Sequence, residues 1–299
     1  GFDARFNIGN NTLASLDVTA GDDADIYLAS NTEGSFVIDA VSISAGGDSD
    51  NAVFNILANT GEEEDRIDIT LGDMSVRNGN DADLNVQDNA YMDLVVGDVE
   101  LFGNSPDLLV DNNTLSTVEI ASVDISAAAR AGVSVSSNTD SSVTVSGDVD
   151  MLVGGGSDEF AAELVVSGNI RTDVSLAEDG AITLITCQDD DNPDDSARLA
   201  ITGNVNDYTR AENGPDNDDA YAMSYSIMLG DVIMDSGEDA FVTVAGNDDL
   251  TEDGGLTVSL GDLDLFAYDD AGVEIGGAST GNTGNTATTI TAGQIDIRS

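Results

Sequence analysis

Apolar and polar residues alternate with period two along most of this chain, in runs of four to six residues such as VTVS (143–146). That period belongs to strands with one face buried. GFDARFNIGN (1–10) shows it at once, with Phe2, Ala4, Phe6 and Ile8 on one side. The only stretch of helical composition is AAARA (127–131), and it aligns with the loop GDDAD (21–25). The pattern therefore predicts an all-β protein.

The strands recur as a unit. ASLDVTAGDDADIYLASNT (14–32) matches ASVDISAAARAGVSVSSNT (121–139), and NNTL occurs at both 10–13 and 112–115. A short turn joins the first two strands of each unit, as LGDM (71–74), VGDV (96–99), SGDV (146–149), LGDV (229–232), LGDL (260–263) and AGQI (292–295). The third strand ends on an apolar residue three positions before an Asn, which picks out Asn31, Asn59, Asn89, Asn113, Asn138, Asn169, Asn204 and Asn247, with Asn11 read as the first of the series. The spacing amounts to roughly 30 residues per unit.

Three strands of this length cannot bury a face alone, whereas stacked copies line a continuous interior. Asn at one fixed corner can then hydrogen-bond up and down the stack as an amide ladder. The predicted fold is a single parallel β-solenoid over residues 1–299, with about ten coils of three short strands and an Asn ladder at one corner. A sandwich would show hairpin turns and larger aromatic cores, and a propeller would need four strands per unit of about 40–45 residues. These features resemble the parallel β-helix proteins: surface fibres, adhesins and polysaccharide-acting proteins. The resemblance implies a place outside the cell or on its surface.

Composition narrows the partners. The chain carries 58 acidic and eight basic residues, a net charge of −50, and all eight bases are Arg, with no Lys or His. Such a surface repels nucleic acid and anionic lipid, so the expected partners are cations. No run of 18 apolar residues is present to span a membrane as a helix. Cys187 is alone and has no internal disulfide partner, and it reads as a small packed hydrophobe.

Five insertions are expected to leave the coils, near 61–65, 188–196, 206–220, 248–254 and 278–286. The densest acidic group, Asp189, Asp190, Asp191, Asp194 and Asp195, offers hard oxygen ligands for Ca²⁺ or another cation, although no EF-hand spacing is present. A cleft enzyme acting on polysaccharide is the rival class. Carboxylate pairs are too frequent here to mark one, and without His, Lys or Trp the chain provides no ordinary imidazole base, no lysine and few aromatic platforms for sugar. No catalytic residue and no cofactor is assigned. Arg171, Arg198 and Arg210 are read as neutralising neighbouring acids.

The two ends read as halves of one coil. TATTITAGQIDIRS (286–299) supplies two strands and GFDARFNIGNN (1–11) the third, with Ala4 aligned to Ala240 and Asn11 to Asn247. Head-to-tail assembly would then use Phe2, Ala4, Phe6, Ile8 and Asn11 against Ile290, Ile295 and Ile297. The expected function is a structural subunit of an extracellular filament. A segment of a longer β-helical adhesin, a polysaccharide-binding or polysaccharide-cleaving protein and a polymerising cytoplasmic scaffold of the bactofilin kind are its alternatives. Stacked acids at about 4.8 Å repel one another unless screened or bridged. Transfer to chelator at low ionic strength is expected to lower the melting temperature, and calorimetry with and without divalent salt measures it.

Overall fold

In the computed structural model, residues 2–6, 11–13, 15–20, 23–32, 34–46, 50–77, 80–154, 161–186, 196–206, 224–249, 255–276 and 288–299 are described. They contain strands and no helix. A parallel β-solenoid follows directly from the pairing. One sheet holds ten strands, from Phe2–Phe6 through Ala24–Ala29 and Ala52–Leu57 to Ala271–Ile275, each bonded to the equivalent strand of the next coil. A second, fourteen-stranded sheet alternates with it along the chain. Every inter-coil strand pair is parallel, as stacking of like units requires.

The three expected segments per coil are present, and two of them merge. The strands on either side of the GD turn form one bent strand in most coils, for example Ile67–Arg77 and Met92–Gly103. The turn is thus an elbow within a sheet. Its glycine is required by close approach: a Cβ on Gly72 would lie 1.7 Å from the Asp39 carbonyl oxygen, and one on Gly230 would lie 2.1 Å from that of Ala177. All six GD-type copies fall at this elbow. A seventh, at Gly180, stands in register with the others only after a bulge between Leu176 and Ala181.

Alternation sets the core. In the ten-stranded sheet Ala24, Ile26 and Leu28 point inward and are buried, and the same three inward columns run on from this strand to Ala271–Ile275. The first column is nearly pure alanine, with Ala24, Ala52 and Ala82, then Ala131, Ala162, Ala197, Ala240 and Ala271 in register. Small side chains there let the chain turn tightly into the sheet. The other columns are Val, Leu and Ile with few aromatics, so like shapes stack on like.

The corner after this sheet carries the ladder. Asn31 Nδ2 donates to Asn59 Oδ1 at 2.7 Å, and the relay continues through Asn89, Asn113, Asn138, Asn169 and Asn204 to Asn247 at 2.9–3.0 Å. Each Oδ1 from Asn59 onward also accepts the backbone N–H of the Asn below. The second Nδ2 proton reaches back to a carbonyl one coil down, such as Leu28 for Asn59. Both atoms of the amide are therefore fully used in a dry corner, where Asn59, Asn138 and Asn247 are 0% exposed.

Backbone strain frames the ladder. The residue before each Asn is left-handed, with φ of 60° at Ser30, 53° at Ala58, 57° at Asp88, 54° at Asn112 and 56° at Ser137, and glycine at 168, 203 and 246. This conformation is costly for L-residues other than glycine.

The first coil departs from the sequence expectation. Phe2 pairs with Ala24, Ala4 with Ile26 and Phe6 with Leu28, two residues out of phase with an alignment of Ala4 to Ala240. Asn11 is no corner: it lies in the strand Asn11–Leu13, opposite Phe36. Chain length is the reason. Leu13 and Leu16 flank the first elbow, opposite Ile38 and Val41, and a corner at Asn11 leaves two residues to reach Leu13 where Asn31 uses seven to reach Ile38. Ile8 lies outside the described residues.

Replacing Asn113 by Ala strips the acceptor from the Asn89 amides and a donor from Val86, and is expected to cost about 3 kcal/mol or more. Ala58→Gly relieves a left-handed alanine and is expected to gain about 0.5–1 kcal/mol. Urea unfolding midpoints separate the two.

Candidate functional site

The chemistry available on this molecule comes from three features: the edge of the last coil, an acidic hollow on the ten-stranded sheet, and carboxylates stacked along the outside.

The last coil consists of Ala271–Ile275, Thr289–Ala292 and Ile295–Arg298, each bonded to the coil before it and to no other strand among the described residues. Ile275, Ile295 and Ile297 are 46%, 44% and 44% exposed, whereas Val244, Leu263 and Leu265 in the same columns one coil inward are 0%, 1% and 0%. Ile290 packs partly against the core. The register places Ile295 and Ile297 over Leu263 and Leu265, as the sequence alignment required. At the other end Phe2–Phe6, Asn11–Leu13 and Leu16–Thr19 pair on one side only among the described residues.

The hollow, about 420 Å³, is floored by Gly132 and bordered by Asp83, Asp107, Arg130 and Glu163. It exists because Gly132 has no side chain: a Cβ there would lie 2.1 Å from Asp107 Oδ1. Asp83 Oδ1 accepts the Asp107 backbone N–H at 3.0 Å, and Arg130 stands 3.5 Å from the Asp107 carboxylate. Burial pushes the Asp83 carboxyl up to about 7; the Asp107 N–H opposes this, while the Asp107 and Asp81 charges add to it. Asp107 is raised as well, by burial first and then by Asp81 and Glu163, against the pull of Arg130.

Elsewhere stacked acids find donors. At the elbow, Asp148 Oδ1 accepts Ala181 N at 2.9 Å, Asp231 accepts Asp262 N at 2.9 Å and Asp262 accepts Gln294 N at 2.7 Å. The Asp of the GD turn is thus a second inter-coil ladder, a role its sequence does not separate from ordinary turn propensity. Arginines form the other solution. Arg66 grips Asp93 through two bonds of 2.8 Å, and Arg171 grips Asp140 likewise at 2.6 and 2.5 Å. Arg77 pairs with Glu100, Arg198 with Glu163 and Arg298 with Asp264. Each of these partners sits on an adjacent coil, which bears out the neutralising reading of Arg171 and Arg198; Arg210 lies outside the described residues. Burial works against ionisation of Asp93, yet the bonds from Arg66 and Thr117 hold its carboxyl below the usual range.

Asp189, Asp190, Asp191, Asp194 and Asp195 also lie outside the described residues. Among those described, no three His, Cys, Asp or Glu groups are placed to hold a metal ion. The insertion at 61–65 is a tight turn closed by Glu62 and Asp65, which exchange backbone bonds of 3.0 and 3.1 Å. No helix among the described residues is long and apolar enough to cross a membrane. Compared with known proteins, the chain matches no family model, no curated protein and no solved structure.

Between pH 4 and 7 native Asp83 keeps a proton that the unfolded chain releases, so its contribution makes stability fall as pH rises through that window. Asp83→Asn keeps an acceptor for the Asp107 N–H without the charge. It is expected to stabilise the protein by on the order of 2–4 kcal/mol at pH 8 and hardly at all at pH 4. Thermal melts across that range measure the difference.

Proposed function

We propose that this chain is a structural unit of a filament or surface fibre, most naturally outside the cell, that grows by adding coil upon coil. The observation that carries the reading is the edge of the last coil, where isoleucines in core columns are close to half exposed on strands that pair on one side only among the described residues. Open strand edges of this kind template further pairing. The two faces alternate along the chain, so the strand that follows Ile295–Arg298 in the pattern belongs to the ten-stranded sheet. Phe2–Phe6 is a strand of that sheet with one side open among the described residues. A second copy, or a further coil of a longer adhesin-like chain, meets the same requirement.

Stacked strands rise about 4.8 Å per coil, so ten coils add about 48 Å of fibre. Electron microscopy of the purified chain is expected to show unbranched fibres with that axial increment. Ile295→Asp combined with Ile297→Asp should stop their growth while leaving the circular dichroism of the interior coils unchanged. A wild-type chain that remains a monodisperse monomer with full β signal at high concentration overturns assembly through this edge.

A further inference from the structure

The outer face of the fourteen-stranded sheet, past the elbow, changes character along the stack. In the first three coils its two outward columns carry Asp17 and Thr19, Ser42 and Ser44, then Ser75 and Arg77. In the fourth coil and again from the sixth to the ninth large apolar side chains enter, among which Phe102 is 56% exposed, Leu152 49%, Ile233 42% and Phe266 38%. Leu152 stacks directly on Ile185; Ile233 follows in the neighbouring outward column and Phe266 returns to the first, so the apolar positions zigzag over the next two coils. Leu152 to Phe266 spans three coils, about 14 Å. No packing need accounts for this, because the inward columns of the same strands already fill the core with Met151, Leu184, Met234 and Leu265.

Acids flank the stripe on both sides. Asp150 neighbours Leu152 and Asp235 lies between Ile185 and Phe266, whereas Asp264 beside Ile233 is already paired with Arg298. Glu100, Asp124 and Asp150 stack in one unbroken column. Their repulsion registers at Asp124, whose carboxyl is raised by partial burial first and then by Asp150 and Glu100. A cation drawn to this column would relieve that repulsion.

We propose that this stripe is a lateral docking surface for a basic polypeptide segment that presents apolar and cationic side chains together. Contiguous exposed apolar residues mark an interaction site, and the flanking carboxylates select the charge of what covers them. A second copy of this chain suits the face poorly: at −50, with eight arginines in all, it offers mainly more acid to an acidic rim. The stripe runs along the outer side of the stack and ends at Phe266, beneath Arg298 of the last coil, whereas end-to-end growth uses the inward Ile295 and Ile297 of that coil, so side docking and growth draw on different side chains.

Two synthetic fluorescent dodecapeptides test the proposal on the full chain at 0.15 M salt, one alternating Leu and Lys and one alternating Ser and Lys. Both carry the same charge, so general attraction to an acidic protein cancels in their ratio. The wild-type chain is expected to bind the Leu/Lys peptide at least tenfold more tightly. Leu152→Ser, Ile233→Ser and Phe266→Ser together should bring that ratio close to one without moving the Ser/Lys affinity more than twofold. These outward positions leave the core intact, which an unchanged melting temperature checks. A wild-type ratio below twofold, or a ratio that survives the triple variant, overturns the proposal. Lateral self-association in sedimentation that the triple variant abolishes overturns it in favour of a second copy. Loss of fibres in the Ile295→Asp/Ile297→Asp chain bears on assembly alone and leaves the peptide ratio unchanged.

Discussion

In a stack of near-identical coils each side chain has its own counterpart directly above and below, about one strand spacing away, and must be compatible with it. That translational constraint sorts the residues of this chain. An amide satisfies it unaided, since it donates with one atom and accepts with the other; the buried Asn column uses every one of these capacities. Alanine and branched aliphatic side chains satisfy it by shape. A carboxylate does not, because two of them at this distance only repel.

The acids of this protein show three ways around that conflict. The elbow aspartates accept a backbone N–H from the next coil, so that a charged group ends on a neutral donor. Asp93 and Asp140 are each clasped by a planar guanidinium from an adjacent coil, the geometry for which arginine is suited and lysine is not. Asp83 has a single backbone donor and stacked acid neighbours, and its carboxyl rises toward neutrality. With so few bases for so many acids, the arginine route is soon exhausted, and backbone donors and the ionic medium must carry much of the load.

What the sequence disclosed follows from the same constraint. Repetition imprints itself on residues that must match their neighbours, so the Asn corners and the GD elbows are visible as phases in a string. The elbow at Gly180 escaped because the bulge that precedes it breaks the phase. Asn11 misled for the opposite reason: NNTL at 10–13 copies the corner tetrapeptide at 112–115, but the distance to the elbow decides which role it takes, and there it is strand. The hollow was illegible, since Asp83, Asp107 and Gly132 are outward positions on three successive coils, and the string does not show that a glycine there opens a space beside two carboxylates. The outer apolar stripe was hidden too, because alternation alone marks a strand without saying which of its faces meets solvent at each coil.

The Asn ladder has one more property. From Asn59 to Asn247 every side-chain carbonyl oxygen accepts from the coil on its N-terminal side, so the amide dipoles all point one way. The solenoid therefore carries a vector along its axis, in the manner of an α-helix, with one terminus electrically unlike the other. Two such bodies joined by their like ends would set these vectors in opposition, whereas a continued stack aligns them. Any fibre built on this ladder is directional, and a cell could distinguish its tip from its base without a separate marker protein.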